Sequence, residues 1–311
     1  MGFESQLAHR QEPLAALVPA LAVPRFGRQP ALRGEWVVAR WHRFGQHPTE
    51  HRIQAGTAVA PVEFLYADLV WDSDFFKRRM VRLQAVMFGP EVTVAALTAA
   101  VQHFVAGLTE AGIEHCYCEV SAQDPCLLYA LGRAGWGLAE TRLHYYHDAL
   151  AAVNGPRFPV RAALASEADH LAAISATNRN AYDRFHADPV FGDAQADAFL
   201  GEYARAAVRG FCDTVLVPDL PVVDSFLAVS YLADDAQVVG VALGRVVLTA
   251  VGPLNRGWHR HLVAETLHHI RDRRGEVVFM TTQAANGAVV HNAEKLGFKL
   301  GGTTHIFSVQ T

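Results

Sequence analysis

The sequence predicts a mixed α/β protein made of two related halves, and three observations carry that expectation. At 311 residues the chain is about twice the length of one domain of roughly 150 residues. Residues 101–145 lie without a gap on residues 263–307, at a constant offset of 162. Between the two copies, Val153-Asn154-Gly155-Pro156 is a cluster of turn formers. The expected division is therefore an N-terminal extension at 1–60, a first domain at 61–153 and a second at 156–311.

Each repeat reads as helix, strand, helix, strand. Val101, Val105 and Leu108 fall on Val263, Leu267 and Ile270, one apolar helix stripe in both copies. A strand-like run follows, HCYCEV in one copy and VVFMTT in the other. The next helix opens at Asp124-Pro125 and at Asn286-Gly287, where Asp or Asn suits the N-cap and Pro the first helical position. Gly135 and Gly297 sit just past those helices, where a left-handed cap favours glycine, and Trp136 and Phe298 lead into a last strand. After the turn cluster, FPVRAALASEADHLAAI reads as a strand and a helix capped by Ser166-x-x-Asp169. Residues 1–60 are less regular and suggest no function.

Composition narrows the class. With 51% hydrophobic and 19% charged residues the chain is that of a folded, water-soluble protein. A net charge of −4 gives no overall footprint for nucleic acid or an anionic membrane surface. Of 27 basic residues only Lys77, Lys295 and Lys299 are lysines. The arginine excess fits either anion recognition or a G+C-rich coding bias. Four cysteines in a chain of this length make no disulfide framework and point to a reducing compartment. The N-terminal stretch does not read as a secretory leader, Gln6 breaks the myristoylation pattern, and no apolar run reaches the 18 or so residues of a membrane span. A cytoplasmic location is expected.

Several constellations carry chemistry. Asn255-Arg256-Gly257-Trp258-His259-Arg260 precedes the stripe that starts at Leu262, so a glycine-containing, basic loop opens a helix. Free N–H groups and the positive end of the helix dipole make such a place an anion site. The same positions in the first copy, Thr93 to Thr98, hold neither glycine nor a basic residue, so that copy should not bind the same anion. His186 and Asp188 in RFHADP are candidates for a general base, or simply for a helix-end turn at Asp188-Pro189. His261, Glu265 and His269, and also His47 and His51, have helical metal spacing. Sixteen histidines produce such pairs by accident, and no metal is expected.

Taken together, residues 66–308 resemble the GCN5-related N-acetyltransferase superfamily. Within it they resemble the nucleotide-sugar N-acyltransferases typified by TDP-fucosamine acetyltransferase. The motifs are Trp71-Asp72-Ser73-Asp74-Phe75-Phe76; Arg184 to Pro189 with Tyr203 and Ala207 to Gly210; and Thr282-Gln283 with Asn286. The resemblance implies a tandem fold, a partial domain without a coenzyme loop followed by a full one, with acyl-coenzyme A as co-substrate. Direct attack of an acceptor amine on the thioester is the implied reaction. It further implies coenzyme contacts from Val251, Arg256, Gly257, Trp258, His259, Arg260, Gln283 and Asn286, with His186 and Asp188 on the acceptor side and Arg184 and Arg209 on a diphosphate. The implied partner is a small amine acceptor, an amino-deoxy nucleotide-linked sugar, with a homodimer left open. Two positions depart from the pattern. His259 stands at a small-residue position, and Ala293 stands where the family carries the tyrosine that protonates the leaving thiolate. His291, His305 and Ser308 are the nearby candidates for that proton donor. Another small amine as acceptor, or a catalytically silent binding protein, remain alternatives.

Overall fold

The computed structural model describes residues 2–178 and 182–311. The chain folds as two compact units, one running to Arg142 and including Gly302–Thr311, the other spanning Leu143–Gly301. The division falls at 142/143 rather than at the turn cluster near 153, and the last strand goes mainly to the first unit. Thr304 to Gln310 of that strand ladder with His115 to Ser121 of the first unit, whatever the strand's place in the repeat.

The first unit begins with α1 (Phe3–Ala15) and short helical turns between residues 19 and 43. It continues with β1 (Glu50–Gly56), β2 (Pro61–Asp68), α2 (Val70–Phe76), β3 (Met80–Phe88), α3 (Val94–Glu110), β4 (His115–Ser121), α4 (Pro125–Arg133) and the start of β5 (Gly137–His147). β1, β2 and β3 pair antiparallel in sequence, β3 and β4 pair parallel, and the C-terminal strand β11 (Lys299–Gln310) pairs antiparallel with β4, Thr304 opposite Ser121 and Gln310 opposite His115. The expected extension thus ends inside the sheet, because β1 is its first strand. The helices before it bury Leu7, Leu14, Val37 and Trp41 against Leu65, Ala85 and Met87 of β2 and β3. On the other face Leu97, Val101, Phe104 and Leu108 of α3 join a core with Phe64, Cys116 and Cys118. Burial pushes both thiols up, so these cysteines behave as small apolar side chains.

The second unit contains β6 (Val160–Ala162), α5 (Ala168–Thr177), α6 (Arg184–Ala187), α7 (Asp193–Ala206), β7 (Thr214–Pro218), β8 (Ser225–Tyr231), α8 (Ala233–Val239), β9 (Ala242–Val251), α9 (Trp258–Asp272), β10 (Gly275–Gln283) and α10 (Gly287–Lys295). β6 to β9 pair antiparallel in order, and α9 is the crossover to β10, which pairs parallel with β9. Leu262, Val263, Leu267 and Ile270 of α9 pack on Val278 and Met280, with Ala293 of α10 completing the cluster. The helix α5 is capped differently from expectation. Glu167, not Ser166, turns back to accept the Leu164 N–H at 2.7 Å, and the paired Arg161 holds that carboxylate in place.

The two units share their distinguishing details. Asp124 and Asn286 are the N-caps of α4 and α10, accepting from Leu127 N–H and Val289 N–H respectively. Gly135 and Gly297 follow these helices at φ 90° and 84°. Among the described residues no helix is long and apolar enough to cross a membrane.

Candidate active site

In the second unit the ladder between β9 and β10 runs only from Ala242 opposite Gly275 to Arg245 opposite Phe279. Beyond it the strands part. The cause is on the other edge of β9, where Ala228 faces Leu248 and Val229 faces Val246, so that Val247 is the extra residue of a bulge. A bulge bends and twists its strand. Parting strands leave main-chain N–H and C=O groups facing one another without a strand partner, and those groups must be satisfied from elsewhere. The notch opens into a cavity of about 170 Å³. Val246 to Ala250 and Met280 to Gln283 form its strand walls, Asn286, Val289 and His259 its helix side, and Ser175, Asn178, Asp183 and Leu200 its far side.

The loop that leads from β9 to α9 is built on one buried asparagine. Asn255 Oδ1 accepts from Asp224 N–H at 2.7 Å and from the Ser225 hydroxyl at 3.1 Å. In return Asp224 Oδ2 accepts Leu254 N–H at 2.8 Å. Gly257 is the N-cap of α9 at φ 90°, and a Cβ there would meet nothing within 4 Å, so conformation and not space requires the glycine. No side chain caps α9, which leaves its first N–H groups directed outward beside the exposed Arg256 and Arg260. Trp258 packs edge-on to the His261 ring at 5.2 Å. Arg260 also lines a larger cavity, about 610 Å³, with His147, His268 and Lys295 and the turn at 154–156.

His259 lies within the notch. Its Nδ1 is 3.1 Å from Asn292 Nδ2, while its Nε2 is buried and meets no partner. Burial lowers the ring's pKa to about 4, so it is neutral near pH 7. Of the residues expected at the site, the structure brings His259, Gln283 and Asn286 together around this cavity. Val251, Arg256, Gly257 and Trp258 do not line it.

The acceptor side differs from expectation. The His186 side chain is buried, with Nδ1 2.6 Å from Asp183 and Nε2 3.0 Å from Asp197, so both ring nitrogens are engaged by carboxylates. Asp188 is buried and its carboxylate accepts Val190 N–H at 3.1 Å, the turn role. The group that reaches the cavity is Asp183, which also caps α6 by accepting Phe185 N–H at 2.9 Å. The sequence signal for it was present: an Asp before a short helix, three residues from a histidine, is both an N-cap and an ion-pair position. Arg184 lies over the Phe185 ring at 4.2 Å, and Arg209 is exposed. His291 is exposed, and His305 and Ser308 belong to the first unit, where His305 meets the Thr141 hydroxyl at 3.0 Å. Glu265, with metal spacing to two histidines, is instead occupied by Arg157 at 3.0 Å and by Phe158 N–H at 2.6 Å.

The first unit has the same notch, and it is filled. β3 and β4 pair from Met80 opposite His115 to Leu83 opposite Cys118 and then part, and Gln84 is the extra residue of a bulge against β2. Into this opening α1 inserts Arg10, whose Nε donates to Val86 O at 3.0 Å and whose guanidinium pairs with both carboxylate oxygens of Asp124. Only about 20 Å³ remains open. Asp124 is the repeat equivalent of Asn286.

Comparison with solved structures shows the fold. A GCN5-related N-acetyltransferase from Sphaerobacter thermophilus superposes with a TM-score of 0.56 at 12% identity, over 96% of this chain and 92% of that one. A glucosamine N-acetyltransferase region of a fungal multi-domain β-N-acetylglucosaminidase gives 0.60 at 13% identity, over 99% of this chain and 37% of that one. A protein of unknown function from Staphylococcus epidermidis gives 0.51 at 12% identity, over 75% and 85%. No protein-family model and no curated protein matches the sequence. The architecture is thus a tandem of GCN5-related N-acetyltransferase folds.

Proposed function

We propose that the protein is an acyl-coenzyme A dependent N-acyltransferase for a small amine, with its coenzyme site in the second unit. The observation that carries this reading is the open notch between β9 and β10 beside an uncapped, glycine-started α9, set against the filled notch of the first unit. Free strand edges suit the two amides of a pantetheine arm, and the start of α9 with Arg256 and Arg260 suits a pyrophosphate. In this reading Asn286, on the rim of the notch, hydrogen-bonds the arm. The cavity of about 610 Å³ with Arg260 and Lys295 in its wall has the size and charge for the phosphoadenosine end.

In the reaction, the acceptor nitrogen adds to the thioester carbonyl, unpaired N–H groups of the notch receive the oxyanion, and the C–S bond breaks. Asp183 holds the acceptor's ammonium group and takes its proton, and His186 positions that carboxylate from behind. An amino-deoxy nucleotide-linked sugar is the acceptor favoured by the resemblance of residues 66–308, and the fungal structure above is described as acting on glucosamine. The test is calorimetric titration with acetyl-coenzyme A followed by thiol release across a panel of amino-sugar nucleotides. Absence of binding rejects the enzyme; binding with thiol release only from other amines rejects the sugar.

A further inference from the structure

We infer that the Nε2–H of His259 is the hydrogen-bond donor that receives the coenzyme's sulfur as the thioester breaks. This rests on the acyltransferase reading above and assigns one atom within it.

The tautomer follows from the partner. Asn292 Nδ2 is a donor only, so the Nδ1 it meets at 3.1 Å must accept, and the ring hydrogen sits on Nε2. That N–H is buried at the wall of the notch. Among the described side chains lining the cavity, His259 is the one whose buried polar atom meets no partner. Buried donors are nearly always satisfied, and one left open at a binding cavity marks the place of a ligand acceptor. The strand walls carry Val246, Leu248 and Met280 beside Thr249, Thr281 and Thr282, and a hydrogen bond to a developing anion within such a cleft is stronger than in water.

Two atoms of a thioester gain charge during transfer. The carbonyl oxygen can be served in the plane of the sheet by the free N–H groups of the parted strands. The sulfur, a weak acceptor in the thioester and a strong one as thiolate, is left to a donor from the helix side. α10 offers no such donor from its buried face, since Ala293 there is a methyl group at 0% exposure. A neutral N–H that binds thiolate better than thioester sulfur acts on the transition state and not on the ground state. The step balances without proton transfer from the ring. Of the two protons the ammonium loses on becoming an amide, one passes by way of Asp183 to solvent before attack; the C–N bond then forms, the C–S bond breaks with its electron pair going to sulfur, and the second proton reaches the thiolate through Asp183 and water, leaving neutral thiol.

The experiment uses the full chain and compares His259→Ala and His259→Gln, the latter keeping an N–H donor at similar reach. Acetyl transfer is measured together with the affinity for coenzyme A lacking its sulfur. The expected result is a fall in kcat of about 10²-fold for His259→Ala, unchanged affinity for the desulfo compound, and recovery of most of the rate by His259→Gln. Asn292→Ala, at the helix surface, should lower kcat several-fold by freeing the tautomer. Equal loss of affinity for desulfo-coenzyme A overturns the assignment, because the contact is then with another part of the coenzyme. An unchanged kcat in both His259→Ala and Asn292→Ala overturns it as well. Failure of the unaltered protein to bind acetyl-coenzyme A rejects the acyltransferase reading itself and with it this role.

Discussion

Replacing Arg10 by Met tests whether the first unit is closed by its own N-terminal helix. Arg10 and Asp124 are each 3% exposed, the guanidinium meets both carboxylate oxygens, its Nε reaches Val86 O at 3.0 Å, and its Cζ stands 4.2 Å over the Phe88 ring. Methionine keeps much of the stem packing but strands the Asp124 carboxylate in a dry place. Removing one partner of a buried pair costs about 3–5 kcal/mol. Loss of the Nε bond adds about 1 kcal/mol, while water admitted to the opened notch returns part of this, so about 3–4 kcal/mol is expected. At roughly 2–4 °C per kcal/mol for a unit of this size, the first unit's calorimetric transition should fall by about 6–16 °C. Arg10→Met with Asp124→Asn, which removes both charges, should recover at least half of the loss, since apolar or neutral replacement of a whole buried pair is often nearly neutral. A shift under about 2 °C for the single variant, or no recovery in the double one, refutes the buried-plug account.

The second unit gives four further predictions. Gly257→Ala should weaken acetyl-coenzyme A binding about tenfold, because holding an L-residue at φ 90° costs about 1–2 kcal/mol although nothing crowds the new Cβ; titration calorimetry reads it. Asn255→Ala leaves Asp224 N–H and the Ser225 hydroxyl without an acceptor and should lower stability by about 1–3 kcal/mol while loosening the same loop, seen as faster amide exchange at 252–257. Asp183→Asn should depress acyl transfer by about 10²-fold with little change in coenzyme affinity, since it removes the proton acceptor at the cavity; equal effects on both quantities would place Asp183 elsewhere in the mechanism. For pH, burial lowers His259 from 6.5 to about 4, so between these values the unfolded chain takes a proton that the folded one refuses. Stability of the second unit is then full above pH 6.5 and declines toward pH 4, with His147, also lowered by burial, acting in the same direction. A thermal melt series over this window should show the decline, and His259→Asn should flatten it.

What could be read from the sequence is what single residues encode by local chemistry. Gly135 and Gly297 could be placed because only glycine takes φ near 90° cheaply, and Asp124 and Asn286 because an N-cap needs a short acceptor. The notch could not, since it consists of hydrogen bonds that stop, and what stops them is a one-residue bulge at Val247 that no residue type announces. His186 matched a motif, yet its two nitrogens were already claimed by Asp183 and Asp197, the latter 11 residues away on α7. Arg10 and Asp124 are 114 residues apart, a distance over which no pattern in one sequence pairs an arginine with an aspartate. The arginine excess thus acquires one structural reason that composition could not supply. A duplicated notch presents the same unsatisfied strand edges twice, and the chain meets that requirement in two ways. In the first unit, where the Thr93 side chain caps α3, an N-terminal arginine meets the strand edge at Val86 O. In the second, where Gly257 and Asn255 keep the loop in shape, Nε2 of His259 meets no partner among the described residues, and the opening beside it is the one the proposed coenzyme would fill.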